Sequence, residues 1–171
     1  MNISFNHQTK TDQYTPTVSL LQELVSVIAK GGNFLLNIGP EASGHIPHVM
    51  RKTLYEMGQW IDRVDESIFD SVPYWVTSSD MHEPGQPLYF TQSKNGRSFY
   101  IFSLEAPLSR CIVVKTKVPL HPEGTISLLS SSYKNEHLKW RMTSNDRLII
   151  NVPDHIIDQE HLLWVFKIEA P

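Results

Sequence analysis

The sequence predicts an α/β unit followed by an all-β unit. Two observations support this prediction. Before about residue 70, apolar residues recur at helical spacing on both sides of one short, nearly continuous apolar run, and after about residue 85 short apolar runs alternate with turn residues. The first pattern is typical of the helix–strand–helix repeat of α/β sheets and barrels, and the second of an antiparallel β-sandwich.

The α/β unit is predicted to begin with a helix. Thr15 is the predicted N-cap and Pro16 the first helical residue, a position that tolerates proline because no intrahelical bond needs its missing N–H. The Gly31-Gly32 pair predicts the end of the helix. Its apolar residues form a stripe on one face: Val18, Leu21, Leu24, Val25 and Ile28.

A strand is predicted at residues 33–38, a short and nearly continuously apolar run bracketed by Asn33 and Asn37, as in a parallel strand buried on both faces. Gly39-Pro40 ends it, and Pro47 opens a second helix. One such strand does not close a barrel, and leaving its four large apolar side chains in water would cost about 6–12 kcal/mol. We therefore expect residues 1–70 to be part of something larger: either the chain is a fragment, or it docks onto a partner that completes the sheet.

The all-β unit is predicted to contain seven short strands. Asn95-Gly96 is a strong hairpin signal between the first two strands. Pro84, Gly85 and Pro87 mark residues 78–87 as a linker, so the predicted domains are residues 1–77 and 88–171. The predicted strands cover residues 88–92, 98–104, 111–117, 125–129, 137–140, 147–152 and 162–168.

Composition narrows the class of protein. Hydrophobic residues make up 40% and charged residues 19% of the chain, which is a globular balance. A net charge of −3 argues against nucleic acids and anionic membranes as partners, no apolar run is long enough to span a membrane, and the N-terminus predicts no signal peptide. Cys111 is the single cysteine, so no intrachain disulfide is expected, and its apolar neighbours predict a buried small hydrophobe.

One block carries a resemblance to a known family. Residues 24–40, with Lys30-Gly31-Gly32-Asn33 and Asn37-Ile38-Gly39-Pro40, resemble the helix-to-strand segment near the end of the barrel in α-L-fucosidases of glycoside hydrolase family 29. The family's Asn-Gly-Glu is Val64-Asp65-Glu66 here. The likeness spans essentially the whole chain. It implies the last helix, strand and helix of a (β/α) TIM-like barrel, incomplete in this chain, followed by a C-terminal antiparallel β-sandwich.

The resemblance implies the removal of terminal α-L-fucose from glycoconjugates with retention of configuration. In such enzymes one carboxylate attacks the anomeric carbon and a second carboxyl group acts as acid and then base. The family supplies both from segments upstream of the Gly31-Gly32-Asn33 block, so we expect no catalytic residue here and an inactive isolated chain. Fucosylated glycans and the rest of the barrel are the expected partners, a homo-oligomer stays open, and no cofactor or metal is expected. The family also implies a lysosomal or secreted location.

Two site residues are predicted near the N-terminus. Ser4-Phe5 aligns with the family pair whose aromatic ring lies against the methyl face of fucose, although Asn6-His7 replace the usual Gly-Tyr. Phe5 is therefore the predicted substrate contact. Asn2, in Asn2-Ile3-Ser4, is a predicted glycosylation site, usable only if the protein enters the secretory pathway.

Other residues leave alternatives open. His45 and His48 could share a metal, but no third ligand is near, which favours loop or helix-surface histidines. Glu41 follows the predicted strand, where barrel active sites form, yet a polar loop residue is the favoured interpretation. The rival to an enzyme fragment is a non-catalytic carbohydrate-binding or structural sandwich. An exposed aromatic platform would favour sugar binding; we expect Trp140 and Trp164 in the core and Trp75 at the inter-domain seam.

Overall fold

The computed structural model describes residues 14–82, 86–107, 110–130, 136–158 and 162–169. Two long helices come first, followed by strands and one short helix. The elements are α1 (Thr17–Ala29), α2 (His48–Ile68), β1 (Ser71–Pro73), β2 (Ser79–His82), β3 (Gln86–Ser93), β4 (Ser98–Ser103), β5 (Cys111–Val114), β6 (Thr125–Leu128), β7 (Trp140–Met142), β8 (Leu148–Asn151), α3 (Asp154–Ile157) and β9 (Trp164–Glu169).

Both predicted long helices form. Pro16 occupies the N-cap position of α1 rather than the first helical position, and Pro47 occupies the same position before α2. α1 buries the stripe expected from its periodicity, with Leu21 and Val25 fully covered. α2 is interrupted once near its end, at Val64 (φ −120°, ψ 16°), where the Ser67 hydroxyl donates to the Val64 carbonyl oxygen at 2.6 Å.

The strand predicted at residues 33–38 pairs with no strand among the described residues. Burial on both faces concerns a complete sheet and stays a prediction, because no described strand lies along either edge of this segment. Its burial nevertheless alternates with a period of two, as in a strand. Phe34 and Leu36 are half-buried against the helices, whereas Leu35 is 93% exposed.

The strands form two antiparallel sheets, as the sandwich prediction requires. The larger has six strands in the order β1-β3-β4-β9-β6, with β2 pairing with β3 on the side where β1 also pairs; the smaller has the order β5-β8-β7. β1 and β2 were not predicted, and β2 lies within the predicted linker, residues 78–87. Strand 137–140 was misplaced: β7 begins at Trp140, and His137 makes only an isolated bridge to Ser127.

The larger sheet is covered on both faces. Along β4, Phe99 and Ile101 join a core shared with the smaller sheet, while Tyr100 and Phe102 join a core shared with α1 and α2. Val165 of the neighbouring β9 also faces the helices. The molecule is therefore built in three layers, helices on the larger sheet on the smaller sheet, and each apolar face of the central sheet has its own partner.

Candidate functional site

Two glycines form the turn that leads from α1 into residues 33–38. Gly31 has a φ of +79°, which favours glycine, and its N–H donates to the Ile28 carbonyl at 2.9 Å. A Cβ at Gly32 would lie 2.9 Å from Cγ1 of Val27, closer than side chains tolerate. The chain can therefore leave α1 in a tight turn, and the following residues lie against the helices.

The segment after this turn, residues 33–38, presents two different faces. Phe34 and Leu36 pack against the core between the helices and the larger sheet. Asn33, Leu35 and Asn37 are exposed on the other face. The Asn37 amide makes no hydrogen bond to the residues that the structure describes. The exposed face thus combines one large apolar side chain with two amides.

The loop that follows, residues 39–47, is closed by its own hydrogen bonds. The Glu41 N–H donates to the His45 carbonyl at 2.8 Å, and the Gly44 N–H donates to the Glu41 carbonyl at 2.9 Å. The Ser43 hydroxyl lies 3.4 Å from Glu41 Oε2 and 3.0 Å from His45 Nδ1. The structure therefore brings Glu41 and His45 together around Ser43, as exposed polar groups of one loop.

His48 lies in the first turn of α2, and the described residues include no group of three histidine, cysteine or acidic side chains that could hold a metal ion.

A pocket of about 410 Å³ lies beside the start of residues 33–38, between the end of α1 and β1. Residues such as Asn33, Phe34, Phe69 and Pro73 line it, and none of its lining residues in the described part of the chain is acidic or basic. These residues therefore offer no general acid or base for hydrolysis.

Two carboxylates approach each other elsewhere, between α2 and the larger sheet. The Lys167 Nζ lies 3.0 Å from Glu66 Oε2 and 2.9 Å from Glu169 Oε1, and the Tyr100 hydroxyl donates to Glu66 Oε2 at 2.9 Å. Both carboxylates are engaged by the same ammonium, so neither is positioned as the free nucleophile or acid of a glycosidase pair. Sequence reasoning missed this cluster, since its members come from three distant segments.

Burial and hydrogen bonding perturb two groups of this cluster. Burial raises the pKa of Tyr100, and the hydrogen bond to Glu66 raises it further. Burial alone would lower the pKa of Lys167, but hydrogen bonds to Glu169 and Glu66 outweigh it, so the pKa of that lysine is raised. Both shifts favour the neutral Tyr100 hydroxyl and the charged Lys167 ammonium, which are the forms that bind Glu66.

The predicted site residues Phe5 and Asn2 lie outside the described residues. The four tryptophans are all described. Trp60 and Trp164 are buried, while Trp140 is half-buried and its Nε1–H donates to the Gly124 carbonyl at 3.0 Å. Trp75, predicted at the inter-domain seam, is 81% exposed between β1 and β2. An aromatic platform of several rings on a sandwich face is therefore not formed by these tryptophans, which favours a structural role for the sandwich.

The prediction for Cys111 is corrected. It is half-buried rather than buried, because β5 alternates and its inward-facing side chains are those of Ile112 and Val114. Among the described helices, none is both long enough and apolar enough to cross a membrane.

Two family models match the chain: "Alpha-L-fucosidase" over residues 1–66 and "Alpha-L-fucosidase C-terminal domain" over residues 82–169. An α-L-fucosidase of Dictyostelium discoideum is 32% identical over 60% of this chain and 21% of its own length. That of Branchiostoma floridae is 28% identical over 96% of this chain and 34% of its own length, and the plasma α-L-fucosidase of Rattus norvegicus is 23% identical over 94% and 34%.

Solved structures agree with this assignment at the level of fold. An α-fucosidase of Thermotoga maritima, in complex with a mechanism-based inhibitor, superimposes with a TM-score of 0.81 at 23% identity, covering 96% of this chain and 36% of that one. The chain thus spans about a third or less of the length of the relatives it matches. It belongs to the α-L-fucosidase family of glycoside hydrolases and corresponds to the C-terminal portion of its members.

Proposed function

We propose that this chain supplies the last helix, strand and helix of a (β/α) TIM-like barrel, together with the C-terminal β-sandwich, of a retaining α-L-fucosidase. The observation that supports this most is the two-faced segment at residues 33–38. Phe34 and Leu36 hold it on the helices, while Leu35 points away from them, 93% exposed. A barrel strand has this arrangement once its neighbours and its interior are removed.

Energetics favour a barrel as the partner of this segment. Burying Leu35 in a barrel interior would contribute about 1.5–3 kcal/mol. The backbone N–H and carbonyl groups of residues 33–38 would also gain partners along both edges of the strand, which a closed barrel provides and an open edge does not. Under this proposal the barrel portion corresponds to residues 1–77 and the sandwich to residues 88–171, with residues 78–87 connecting them.

The proposed reaction removes terminal α-L-fucose from glycans through a glycosyl-enzyme intermediate. The nucleophile and the acid/base come from the part of the barrel that precedes residues 31–33, so the isolated chain is inactive. Phe5 is proposed to contact the methyl face of the sugar, and Asn2 to carry a glycan. A lysosomal or secreted location is proposed with support from mammalian relatives that are named plasma and tissue α-L-fucosidases.

The proposal is tested by completing the barrel. The chain is joined to the part of the Branchiostoma floridae relative that it does not match, and the purified fusion is assayed with an aryl α-L-fucoside beside the chain alone. We expect the fusion to release fucose and the chain alone to release none. Turnover by the chain alone, or a fusion without turnover, would contradict the proposal. A second fusion with Leu35→Asp is expected to lose activity, because it places a charge in the barrel interior.

A further inference from the structure

We infer that Asn37 is a positioning residue of the fucosidase active site, whose side-chain amide donates a hydrogen bond to the carboxylate that attacks the sugar. The inference rests on the proposed function, because the carboxylate belongs to the barrel that this chain would complete. It concerns a residue of the chain itself, and it starts from the face on which Asn37 lies.

The face of Asn37 follows from the burial of its neighbours. Phe34 and Leu36 pack against the helical layer, and Asn33, Leu35 and Asn37 alternate with them on the opposite side. In a (β/α) barrel the side chains of a strand point alternately toward the surrounding helices and toward the barrel interior. The helix-facing set is already fixed by its contacts, so Asn37 belongs to the set that faces the interior.

The height of Asn37 follows from its place along the segment. At about 3.3 Å of rise per residue, Asn37 lies about 7 Å beyond Leu35 and about 13 Å beyond Asn33 toward the carboxyl end of the strand. Barrel active sites form at that end. Asn33 therefore lies toward the N-terminal face of the barrel, away from the active site, Leu35 lies in the middle layer, and Asn37 lies at the base of the active site.

The chemistry of the amide selects its partner. A side-chain amide enclosed in a barrel needs hydrogen-bond partners, and the Asn37 amide makes none to the residues that the structure describes. The side chains of Glu41 and His45 are turned toward Ser43 instead. Catalytic side chains of such barrels project from the ends of several strands at this same face, and in the proposed enzyme the nucleophilic carboxylate is one of them. A donated N–H favours the ionised form of that carboxylate, which is the form that attacks.

The test uses the active fusion enzyme with Asn37→Ala, and Asn33→Ala as the matched control on the same face of the segment. Asn37→Ala is expected to lower kcat at least about 10-fold, because the attacking carboxylate loses the contact that orients it toward the anomeric carbon. KM should stay within about 3-fold, because the lost interaction is not one made to the bound sugar. The acidic limb of the kcat/KM profile should move to higher pH, because the nucleophile loses a bond that favours its ionised form. Asn33→Ala should leave all three quantities unchanged.

A folding defect is distinguished by thermal unfolding of the 171-residue chain with and without Asn37→Ala, which should coincide because the side chain is exposed. An active fusion whose kcat and pH profile do not respond to Asn37→Ala overturns this inference and leaves the proposed function standing. A rise in KM with unchanged kcat also overturns it, since the amide would then bind the sugar. A fusion that is inactive before any substitution overturns both.

Discussion

The Tyr100 hydroxyl donates a 2.9 Å hydrogen bond to Oε2 of Glu66, joining the middle of the larger sheet to the end of α2. Tyr100 on β4 and Lys167 on β9 are directly opposite each other in the antiparallel register, so their side chains lie on the same face of the sheet. Both reach the Glu66 carboxylate. One carboxylate on the helix thus fixes the position of α2 over two adjacent strands.

Glu66→Ala is expected to destabilise the chain by about 1–3 kcal/mol, because it leaves the buried Tyr100 hydroxyl without its acceptor. The matched control is Glu23→Ala, an exposed glutamate of α1, so both substitutions have the same effect on helix propensity. Urea unfolding of the two variants measures the difference. Equal midpoints for the two variants would show that the contacts of Glu66 with Tyr100 and Lys167 do not stabilise the fold.

Stability is expected to fall as the pH rises above about 10, the ordinary pKa range of tyrosine and lysine. Tyr100 and Lys167 both have raised pKa values in the folded chain, Tyr100 mainly through burial and Lys167 through its carboxylate partners despite burial. The unfolded chain therefore gives up these protons first, which favours unfolding at high pH. Thermal unfolding measured on both sides of this range should show a shallower loss for Tyr100→Phe; parallel curves would contradict the assignment.

Asp80 connects the two sheets, and Asp80→Ala is expected to cost about 1–3 kcal/mol. Its Oδ2 accepts the backbone N–H groups of Lys115 at 2.7 Å and Thr116 at 2.8 Å, just after β5 ends. Truncation leaves both donors without this acceptor. Asp62→Ala, at an exposed position of α2, is the control and should change the urea midpoint little. A similar loss in the control would rule out a specific role for the Asp80 carboxylate.

A pair of identical substitutions tests the contact between α2 and the sheet. Trp60 is fully buried, and its Nε1–H donates to the Leu163 carbonyl at 3.1 Å. Trp60→Phe should cost at least about 1–3 kcal/mol, because the carbonyl is left unsatisfied and a gap forms. Trp75→Phe, at a position 81% exposed, should leave the free energy of unfolding almost unchanged. Tryptophan fluorescence in denaturant titrations reports both variants.

Exposed apolar groups on residues 33–38 should make the isolated chain self-associate. Leu35→Lys is expected to reduce light scattering at high protein concentration, because a charge on an open strand edge opposes pairing. Met142→Lys removes another exposed apolar side chain, 46% exposed on β7, and serves as the control. If both variants reduce scattering equally, the association is a general surface effect rather than a property of this segment.

The sequence predicted the elements whose signals are local. Helical periodicity identified α1 and α2, and Asn95-Gly96 identified the hairpin between β3 and β4. The strand predicted at 111–117 ends at Val114, because the next two N–H groups donate to Asp80 instead of a sheet neighbour. Such a contact, made across 35 residues of sequence, leaves no periodic signal.

For the candidate site, the sequence predicted where the segment lies but not which of its side chains face the barrel interior. The apolar run at residues 33–38 and the glycines before it were recognised, but the two faces of the segment emerge only when Phe34 and Leu36 are seen to pack on the helices. A nearly continuous apolar run does not tell which side chains face a barrel interior. β1 and β2 were missed because they are only three and four residues long and their sequences contain polar residues.

The two covered faces of the central sheet bear on how this part of the protein can evolve. A sandwich whose outer faces meet solvent can be recombined between genes, whereas here Tyr100, Phe102 and Val165 need the helices above them. A recombination breakpoint between α2 and β3 would place that face, in both products, against helices with which it had not evolved. The last helices of the barrel and the sandwich are therefore expected to be inherited as one unit and to accumulate compensating substitutions together.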